Sequence, residues 1–145
     1  MQPTITRAET LKPKPDQTKL GFGTIFTDHM FNMDYSIEKG WHSPRIEPYA
    51  PISMDPSTMV LHYGQAVFEG LKAYATESGG VQLFRPGDNF KRMNRSGKQL
   101  CIPAFGEGAA LDALKQLLAL EKAWVPRAPG TSLYIRPTIV ATDPF

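Results

Sequence analysis

The distribution of apolar and polar positions divides the chain into a short polar start and a longer apolar body. Residues 1–19, "MQPTITRAETLKPKPDQTK", are polar and contain prolines, with almost nothing to bury. Such a composition disfavours a packed element. We therefore expect residues 1–19 to form a flexible N-terminal arm and residues 20–145 to form one domain.

The first half of this body has mostly strand-like patterns. The stretch "FGTIFTDHMFNMDY" is rich in aromatic, β-branched and Met residues, which predicts one long strand or two strands joined by a bend. The glycine and prolines of "SIEKGWHSPRIEPYAP" predict loops and extended edge segments. We then expect a short strand over 59–63, one helical turn over 65–68, and a hairpin over 71–86 around "ESGG".

Two later segments have the periodicity of helices. A helix capped by Asp88 or Asn89 is expected to reach about residue 100, and one of its faces carries Phe90, Met93 and Gly97. Leucines at helical spacing predict an amphipathic helix over 109–125, after which "TSLYIRPTIVAT" predicts a final strand. Strands followed by two helices and a strand favour an α+β fold, with helices packed on a largely antiparallel sheet.

Composition and charge narrow the class of protein. Of the 145 residues, 41% are hydrophobic and 21% are charged, as in an ordinary globular domain. The net charge of +2, without runs of like charge, gives no indication of nucleic-acid binding. No apolar run approaches the roughly 20 residues that span a bilayer. The single cysteine cannot form an intramolecular disulfide, which suggests a reducing compartment. We therefore expect a cytoplasmic protein that binds neither nucleic acid nor membranes.

Residues typical of metal sites and nucleophilic catalysis are scattered along the chain. We expect no metal site, because no ligand motif joins the three histidines, which are His29, His42 and His62. Cys101 is interpreted as a small buried hydrophobic residue. Asp28 and Glu69 can be imagined as a carboxylate pair, but nothing in the sequence fixes their separation. Loop or strand-cap roles are the simpler interpretation for both.

A basic helix segment, "GDNFKRMNRSGK", is a candidate for phosphate binding. Arg92 and Arg95 lie three residues apart, so they share a side of the helix, and Lys91 and Lys98 flank them. A fixed guanidinium near the positive end of a helix can hold an anion. The pattern alone nevertheless favours a solvated basic face over an anion site.

The final predicted strand contains a second candidate. Period-two alternation places Tyr134 and Arg136 on one face and Leu133 and Ile135 on the other. An arginine beside a tyrosine can lie in water, or it can frame a pocket for a carboxylate. The pattern does not decide between these two alternatives.

Five blocks of the sequence, taken together in their order and spacing, resemble a known family. They are "FGTIFTDHMF", "GWHSPRIEPY", "LHYGQAVFEGLKAY", "LFRPGDNFKRMNRS" and "GTSLYIRPTIVATDPF". These blocks resemble the N-terminal part of branched-chain-amino-acid aminotransferases, which are fold type IV enzymes that use pyridoxal 5′-phosphate. The resemblance covers residues 20–145 and implies the small domain of that fold.

The resemblance also implies site residues. Arg92 matches the arginine that contacts the cofactor phosphate, which reverses the preference for a solvated face. The residues that match the family's substrate site are Phe22, Tyr63, Phe68, Tyr134 and Arg136. The aromatic pocket among them suits the side chains of Leu, Ile and Val, because it excludes water and offers them no charge. Tyr134 is expected to bind the substrate, and Arg136 to support it or steer its carboxylate.

The activity implied by the resemblance is transfer of the amino group of Leu, Ile or Val to 2-oxoglutarate by a homodimer. In the family, the lysine that holds the cofactor as a Schiff base lies past "TDPF". We therefore expect the C-terminal catalytic domain to be absent from this chain and the chain alone to be inactive. Lys72 is no substitute, since the family's lysine comes from another block. Two alternatives remain. One is another fold type IV enzyme, such as a D-amino-acid aminotransferase or aminodeoxychorismate lyase. The other is a non-enzymatic dimerisation or ligand-binding module.

Overall fold

The computed structural model describes residues 2–144, and within this range the chain forms eight strands and three α-helices. The strands are β1 (Thr4–Ile5), β2 (His29–Ser36), β3 (Gly40–Pro48), β4 (Ala66–Phe68), β5 (Leu71–Ala75), β6 (Val81–Leu83), β7 (Leu133–Ile135) and β8 (Thr138–Val140). The helices are α1 (Met59–Tyr63), α2 (Pro86–Gln99) and α3 (Glu107–Leu120), and a short 3-10 helix spans Lys122–Trp124. No helix in this range is both long enough and apolar enough to cross a membrane.

The strands form three small sheets. Their orders are β1-β3-β2, β4-β8 and β6-β5-β7. The short β1 runs parallel to β3, whereas the other pairings between these strands are antiparallel. The α+β class and the largely antiparallel pairing predicted from the sequence are therefore confirmed, although the strands divide into three sheets instead of forming one.

The core lies where α2 and α3 contact each other and the inner faces of β4 and β2. Phe90 and Met93 of α2 are buried, as their helical spacing predicted. The rings of Phe90 and Phe105 meet edge to face, with their centroids 5.9 Å apart. The other buried residues of this cluster are Val67, Leu71, Ala73, Ile102, Leu114, Leu118 and Val125.

The connection between α2 and α3 is held by side-chain and backbone hydrogen bonds. The amide of Asn94 donates to Phe105 O (3.0 Å) and accepts from Phe105 N (3.1 Å). The chain leaves α2 through Cys101, whose φ of 56° exposes its side chain. The expectation of a buried Cys101 is therefore wrong, because this left-handed turn directs Ile102 into the core instead.

Two predicted elements are interchanged. Met59–Tyr63 forms the helix α1 instead of a strand, and it ends at Gly64 with φ 62°. Because L-residues rarely adopt this left-handed conformation, Gly64 is a helix-stop signal. Ala66–Phe68 is the strand β4 instead of a helical turn, since it pairs with β8 from the far end of the chain.

Both long predicted strands are shorter than expected. Residues 20–28 contain no strand, and β2 begins only at His29. The final strand is divided at Pro137, which has no N–H to donate to a sheet. Its first part, β7, pairs with β5, and its second part, β8, pairs with β4. The hairpin predicted over 71–86 is confirmed as β5 and β6.

The segment expected to be a flexible arm is attached to the body at several points. Ala8 N donates to His29 Nε2 (2.8 Å), and Lys12 N donates to Asp28 Oδ1 (2.8 Å). The ammonium of Lys14 lies 3.0 Å from Asp28 Oδ2 and 4.1 Å from the centroid of the Trp124 ring. These are more contacts than the polar composition predicted. The flexibility of residues 1–19 stays a prediction.

Candidate functional site

Most of the candidate residues lie where the chain passes from one sheet to another, which happens once between β4 and β5 and once between β7 and β8. The step from β4 to β5 occurs at Glu69 and Gly70, and the step from β7 to β8 occurs at Arg136 and Pro137. Glu69 N donates to Pro137 O at 2.9 Å, so the two steps lie side by side. We call this region the strand junction.

An aromatic–arginine cluster, made of Phe22, Phe68, Tyr134 and Arg136, occupies one side of the strand junction. Arg136 Cζ lies 4.6 Å from the ring centroid of Phe68 and 5.3 Å from that of Tyr134, within the range of cation–π contacts. Arg136 Nη2 donates to Tyr134 Oη at 3.2 Å. The rings of Phe22 and Tyr134 meet edge to face at 5.0 Å. Four of the five substrate residues implied by the resemblance therefore contact one another.

The apolar rings of this cluster are largely exposed. Phe22 is 71% exposed and Phe68 is 60% exposed, which is unusual for side chains of this size. Exposed rings around a single guanidinium form a surface that is apolar but carries one positive charge. Such a surface suits a ligand with an alkyl part and a carboxylate.

Tyr63, the fifth of these residues, lies on a neighbouring element. It is the last residue of α1 and is 64% exposed. The helix is fixed to the chain beyond β8, since Met59 N donates to Asp143 O (3.0 Å) and Val60 N donates to Ala141 O (3.1 Å). Gly64 and Gln65 alone separate Tyr63 from β4, so it is close in sequence to Phe68.

Gly70 is a part of the site that the sequence did not predict. A Cβ built on Gly70 would lie 2.3 Å from Tyr134 Oη and 3.0 Å from Tyr134 Cζ. Any larger residue at this position must displace the Tyr134 hydroxyl group. Glycine is therefore required here for close approach and not for backbone conformation.

Arg92 is held by a carboxylate at the same junction. Its Nε donates to Glu69 Oε1 at 2.5 Å, and its Nη2 donates to Glu69 Oε2 at 2.7 Å. Glu69 also accepts hydrogen bonds from Gly70 N and Asn89 Nδ2, both at 3.1 Å. The Glu69 side chain is 6% exposed, whereas that of Arg92 is 54% exposed. The pair thus has a fixed, buried carboxylate and a guanidinium that reaches the surface.

This contact shifts both titrations of the pair. The hydrogen bond from Arg92 lowers the pKa of Glu69 to about 2, with further help from Asn89 and the Gly70 N–H, while burial opposes the shift. The same contact with Glu69 raises the pKa of Arg92. Both groups are therefore charged at every pH above the acid range.

The lowered pKa of Glu69 predicts a pH dependence of stability. A carboxyl group whose pKa is lower in the folded state stabilises the fold above its ordinary value of 4.5, and this contribution is lost as the pH falls toward about 2. We expect the difference in free energy of unfolding between the original chain and Glu69→Gln to shrink over this range in urea denaturation. A difference that stays constant from pH 5 to 2 contradicts the assignment.

Arg95 and Asp28 lie in different surroundings from this pair. Arg95 is exposed and has no carboxylate partner among residues 2–144, so it differs from Arg92 in spite of their shared helix.

Burial alone raises the pKa of Asp28, but Lys12 N–H, the Trp124 indole and Lys14 together lower it to about 2. Asp28 and Glu69 therefore belong to separate clusters, and the imagined carboxylate pair is not formed. Nor do three potential metal-ligating side chains converge within the described range.

Comparison with known proteins identifies the family. No family model matches the chain. The chain is 61% identical to "Branched-chain-amino-acid aminotransferase 2" of Bacillus subtilis over 141 residues, and this match covers 97% of the chain. It is 58% identical to "Branched-chain-amino-acid transaminase 1" of the same organism over 146 residues, and that match covers 99% of the chain. The chain belongs to the branched-chain aminotransferase family. It spans about two fifths of these relatives, 39% of the first and 41% of the second.

Solved structures of branched-chain aminotransferases have the same fold over most of the chain. The Escherichia coli enzyme matches 68% of this chain and 30% of its own, with a TM-score of 0.55 and 25% identity. A second branched-chain aminotransferase, from T.th. and complexed with N-(5′-phosphopyridoxyl)-L-glutamate, matches 64% of this chain and 29% of its own, with a TM-score of 0.51 and 32% identity. The small α+β domain predicted from the sequence is thus the fold found in this aminotransferase family.

Within this branched-chain aminotransferase domain, sequence reasoning missed the contacts of three residues at or beside the strand junction. They are Glu69, Gly70 and Asn89. Glu69 was interpreted as a loop or strand-cap residue, and Gly70 was given no role. The helix cap expected at Asp88 or Asn89 is wrong, because α2 already begins at Pro86. The signal that could have found Glu69 is the presence of one acidic residue between two strands, close to a basic helix.

Proposed function

We propose that the protein containing this chain transfers the amino group of Leu, Ile or Val to 2-oxoglutarate, and that this chain supplies part of the cofactor and substrate sites. The observation that carries the proposal is 61% identity, over 97% of the chain, to a relative named as a branched-chain-amino-acid aminotransferase. The contacts of the aromatic–arginine cluster and of Arg92 support it, because both suit the ligands of this reaction.

We propose Arg92 as the residue that holds the phosphate of pyridoxal 5′-phosphate. Glu69 takes the Nε and Nη2 edge of the guanidinium, and no protein group between residues 2 and 144 bonds to Nη1. The exposed end of the guanidinium therefore fits a phosphate, which accepts paired N–H donors well. The α2 helix begins at Pro86, so Arg92 is its seventh residue and the helix terminus contributes less than the sequence predicted. When bound, this cofactor supplies an electron sink for the carbon that carries the amino group.

The aromatic–arginine cluster is proposed to bind the amino acid. Arg136 Nη2 donates to the Tyr134 oxygen, so the hydroxyl proton of Tyr134 is available to donate to a substrate carboxylate. Arg136 adds a positive charge to the same point and is itself held against Phe68. We assign Phe22, Phe68 and Tyr63 to the alkyl side chain of the substrate, which their apolar rings would shield from water.

Lys72 has no proposed covalent role. It lies on β5 directly opposite Tyr134 of β7, on the exposed face of that sheet. We propose that the covalent lysine belongs to the portion of the relatives that this chain does not span. Homodimeric assembly and a cytoplasmic location are further proposals, which rest on the family and on the single cysteine.

A hybrid enzyme tests the proposed function. In it, this chain replaces the matching segment of "Branched-chain-amino-acid aminotransferase 2" of Bacillus subtilis, which is 61% identical. We expect the hybrid enzyme to transfer the amino group of L-leucine to 2-oxoglutarate and the 145-residue chain alone to be inactive. Faster turnover of D-alanine or aminodeoxychorismate than of L-leucine would overturn the substrate assignment. Transamination by the chain alone would overturn the assignment of the covalent lysine.

Gly70→Ala is expected to impair substrate use without impairing cofactor binding. The new Cβ displaces the Tyr134 hydroxyl group, which we propose binds the substrate carboxylate. In the hybrid enzyme, kcat/KM for L-leucine should fall about ten-fold, equivalent to about 1.4 kcal/mol. The control is Gly108→Ala, since a Cβ at Gly108 meets no atom within 4 Å. Equal kcat/KM values for the two variants contradict the role given to Tyr134.

A further inference from the structure

Glu69 binds Arg92 and Asn89 binds Glu69, but neither has a role in the proposed function. Glu69 binds Arg92 through both carboxylate oxygens, at 2.5 Å and 2.7 Å. Asn89 Nδ2 donates both to Glu69 Oε2 and to Gly70 O, each at 3.1 Å. Asn89 of α2 therefore holds Glu69 at the strand junction, and Glu69 in turn holds the exposed guanidinium of Arg92, which also belongs to α2.

The core does not require this arrangement. The α2 helix packs into the core through Phe90, Met93 and Gly97, which are its buried residues. Glu69 is nevertheless charged and 6% exposed, a position that is unfavourable for a carboxylate unless several donors compensate for the lost water. Gly70 N and Asn89 Nδ2 donate to the Glu69 carboxylate and fix its orientation. The carboxylate in turn orients Arg92.

We infer that Glu69 is a positioning residue, which fixes the Arg92 guanidinium so that its open end faces the cofactor phosphate, and that Asn89 holds Glu69 in place. This inference rests on the proposed function. Arginine has many rotamers, and a bidentate carboxylate restricts both the position and the plane of its guanidinium. A phosphate then meets donors that are already oriented, and less conformational freedom is lost on binding.

Glu69 also affects phosphate affinity in the opposite direction. Its negative charge lies close to the place proposed for a phosphate dianion and repels it, so removal of the charge alone would strengthen binding. Removal of the positioning contact weakens binding. The sign of the change in affinity therefore decides which effect dominates, and our inference requires weaker binding.

The experiment compares two ligands that differ only in the phosphate. In the apo form of the hybrid enzyme, Glu69→Gln should weaken the binding of pyridoxal 5′-phosphate by about ten-fold, by analogy with the loss of a residue that orients a metal ligand. Pyridoxal, which lacks the phosphate, should bind to both proteins equally. The control is Glu77→Gln in the exposed turn between β5 and β6, which should change neither affinity.

A double substitution separates positioning from a general structural role. If Glu69 acts through Arg92, adding Glu69→Gln to Arg92→Ala should cause no further loss of affinity for pyridoxal 5′-phosphate. Asn89→Ala leaves both charges in place and should weaken the same binding by a smaller factor. The inference is overturned by unchanged or tighter binding in Glu69→Gln, by an equal loss for pyridoxal, or by a further loss in the Arg92→Ala background.

A spectroscopic measurement remains decisive even where the variant enzyme folds poorly. In the NMR spectrum of the ¹⁵N-labelled 145-residue chain, the Arg92 Nε–H should exchange slowly with water, and in Asn89→Ala it should exchange faster. Rapid exchange in the original chain overturns the inference. A hybrid enzyme without transaminase activity, or one in which Arg92→Ala leaves cofactor affinity unchanged, refutes the proposed function instead.

Discussion

Replacing Arg92 with alanine weakens the binding of pyridoxal 5′-phosphate to the hybrid enzyme by about 10- to 150-fold. This is the expected result, because the substitution removes a charge-assisted contact with a dianion, and one such contact is worth about 1.5–3 kcal/mol. The open end of the guanidinium is the group proposed to make this contact, while Glu69 occupies its other edge. The measurement is a titration of the apo hybrid enzyme with the cofactor, followed by absorbance.

Arg95→Ala is the matched control for this prediction. Arg95 lies on the same helix three residues further on and carries the same charge, but it is exposed and has no carboxylate partner in the described range. Its removal should change cofactor affinity by less than about three-fold, in line with a surface substitution. Equal losses for Arg92→Ala and Arg95→Ala would refute the phosphate assignment and restore the interpretation of α2 as a solvated basic face.

Replacing His29 with leucine lowers the free energy of unfolding by about 1–3 kcal/mol, the usual cost of leaving a buried polar group without one of its hydrogen-bond partners. Ala8 N donates to His29 Nε2, so the ring proton lies on Nδ1, which contacts Glu121 Oε1. The side chains of His29 and Glu121 are only 2% and 3% exposed. Leucine leaves the Glu121 carboxylate with the Asp28 N–H as its remaining partner. Urea denaturation of the 145-residue chain measures the loss.

His62→Leu is the control for the histidine prediction. The His62 ring is exposed and contacts Pro56 O at 2.9 Å, so its loss should change the free energy of unfolding by less than about 1 kcal/mol. If the two variants unfold with similar free energies, the buried His29–Glu121 contact does not stabilise the fold. The same result would also show that the hydrogen bond from Ala8 N to this ring does not stabilise the fold.

Elements with local signals could be predicted from the sequence. The α2 helix presents Phe90 and Met93 to the core because helical spacing places them on one face, and the hairpin of β5 and β6 follows from its turn residues. Local pattern could not predict β4, because what makes it a strand is pairing with β8, some 70 residues away along the chain. The error over α1 was avoidable, since Gly64 was present as a stop signal.

The candidate site was predicted in a different way. Periodicity placed Tyr134 and Arg136 on one face, and their hydrogen bond agrees with this, but only the family resemblance gave them a task. Phe22 joins them from a segment without strand structure, which no period could reveal. The contact of Glu69 with Arg92 was missed because the two residues lie 23 positions apart, which is beyond the reach of helix or strand periodicity. The roles of these residues in binding stay predictions.

The strand junction has a consequence for how this domain can be altered by design. Because both strand pairs change sheets at Glu69–Gly70 and Arg136–Pro137, the residues there contribute little to the buried cluster formed by α2, α3 and the sheets. Side chains such as Phe22 and Phe68 can therefore be exchanged for others of different size without emptying the core. A library confined to these exposed positions would test their proposed role in ligand preference on a constant scaffold. Gly70 is the position to leave untouched, because the Tyr134 hydroxyl group occupies the space that any side chain there would need.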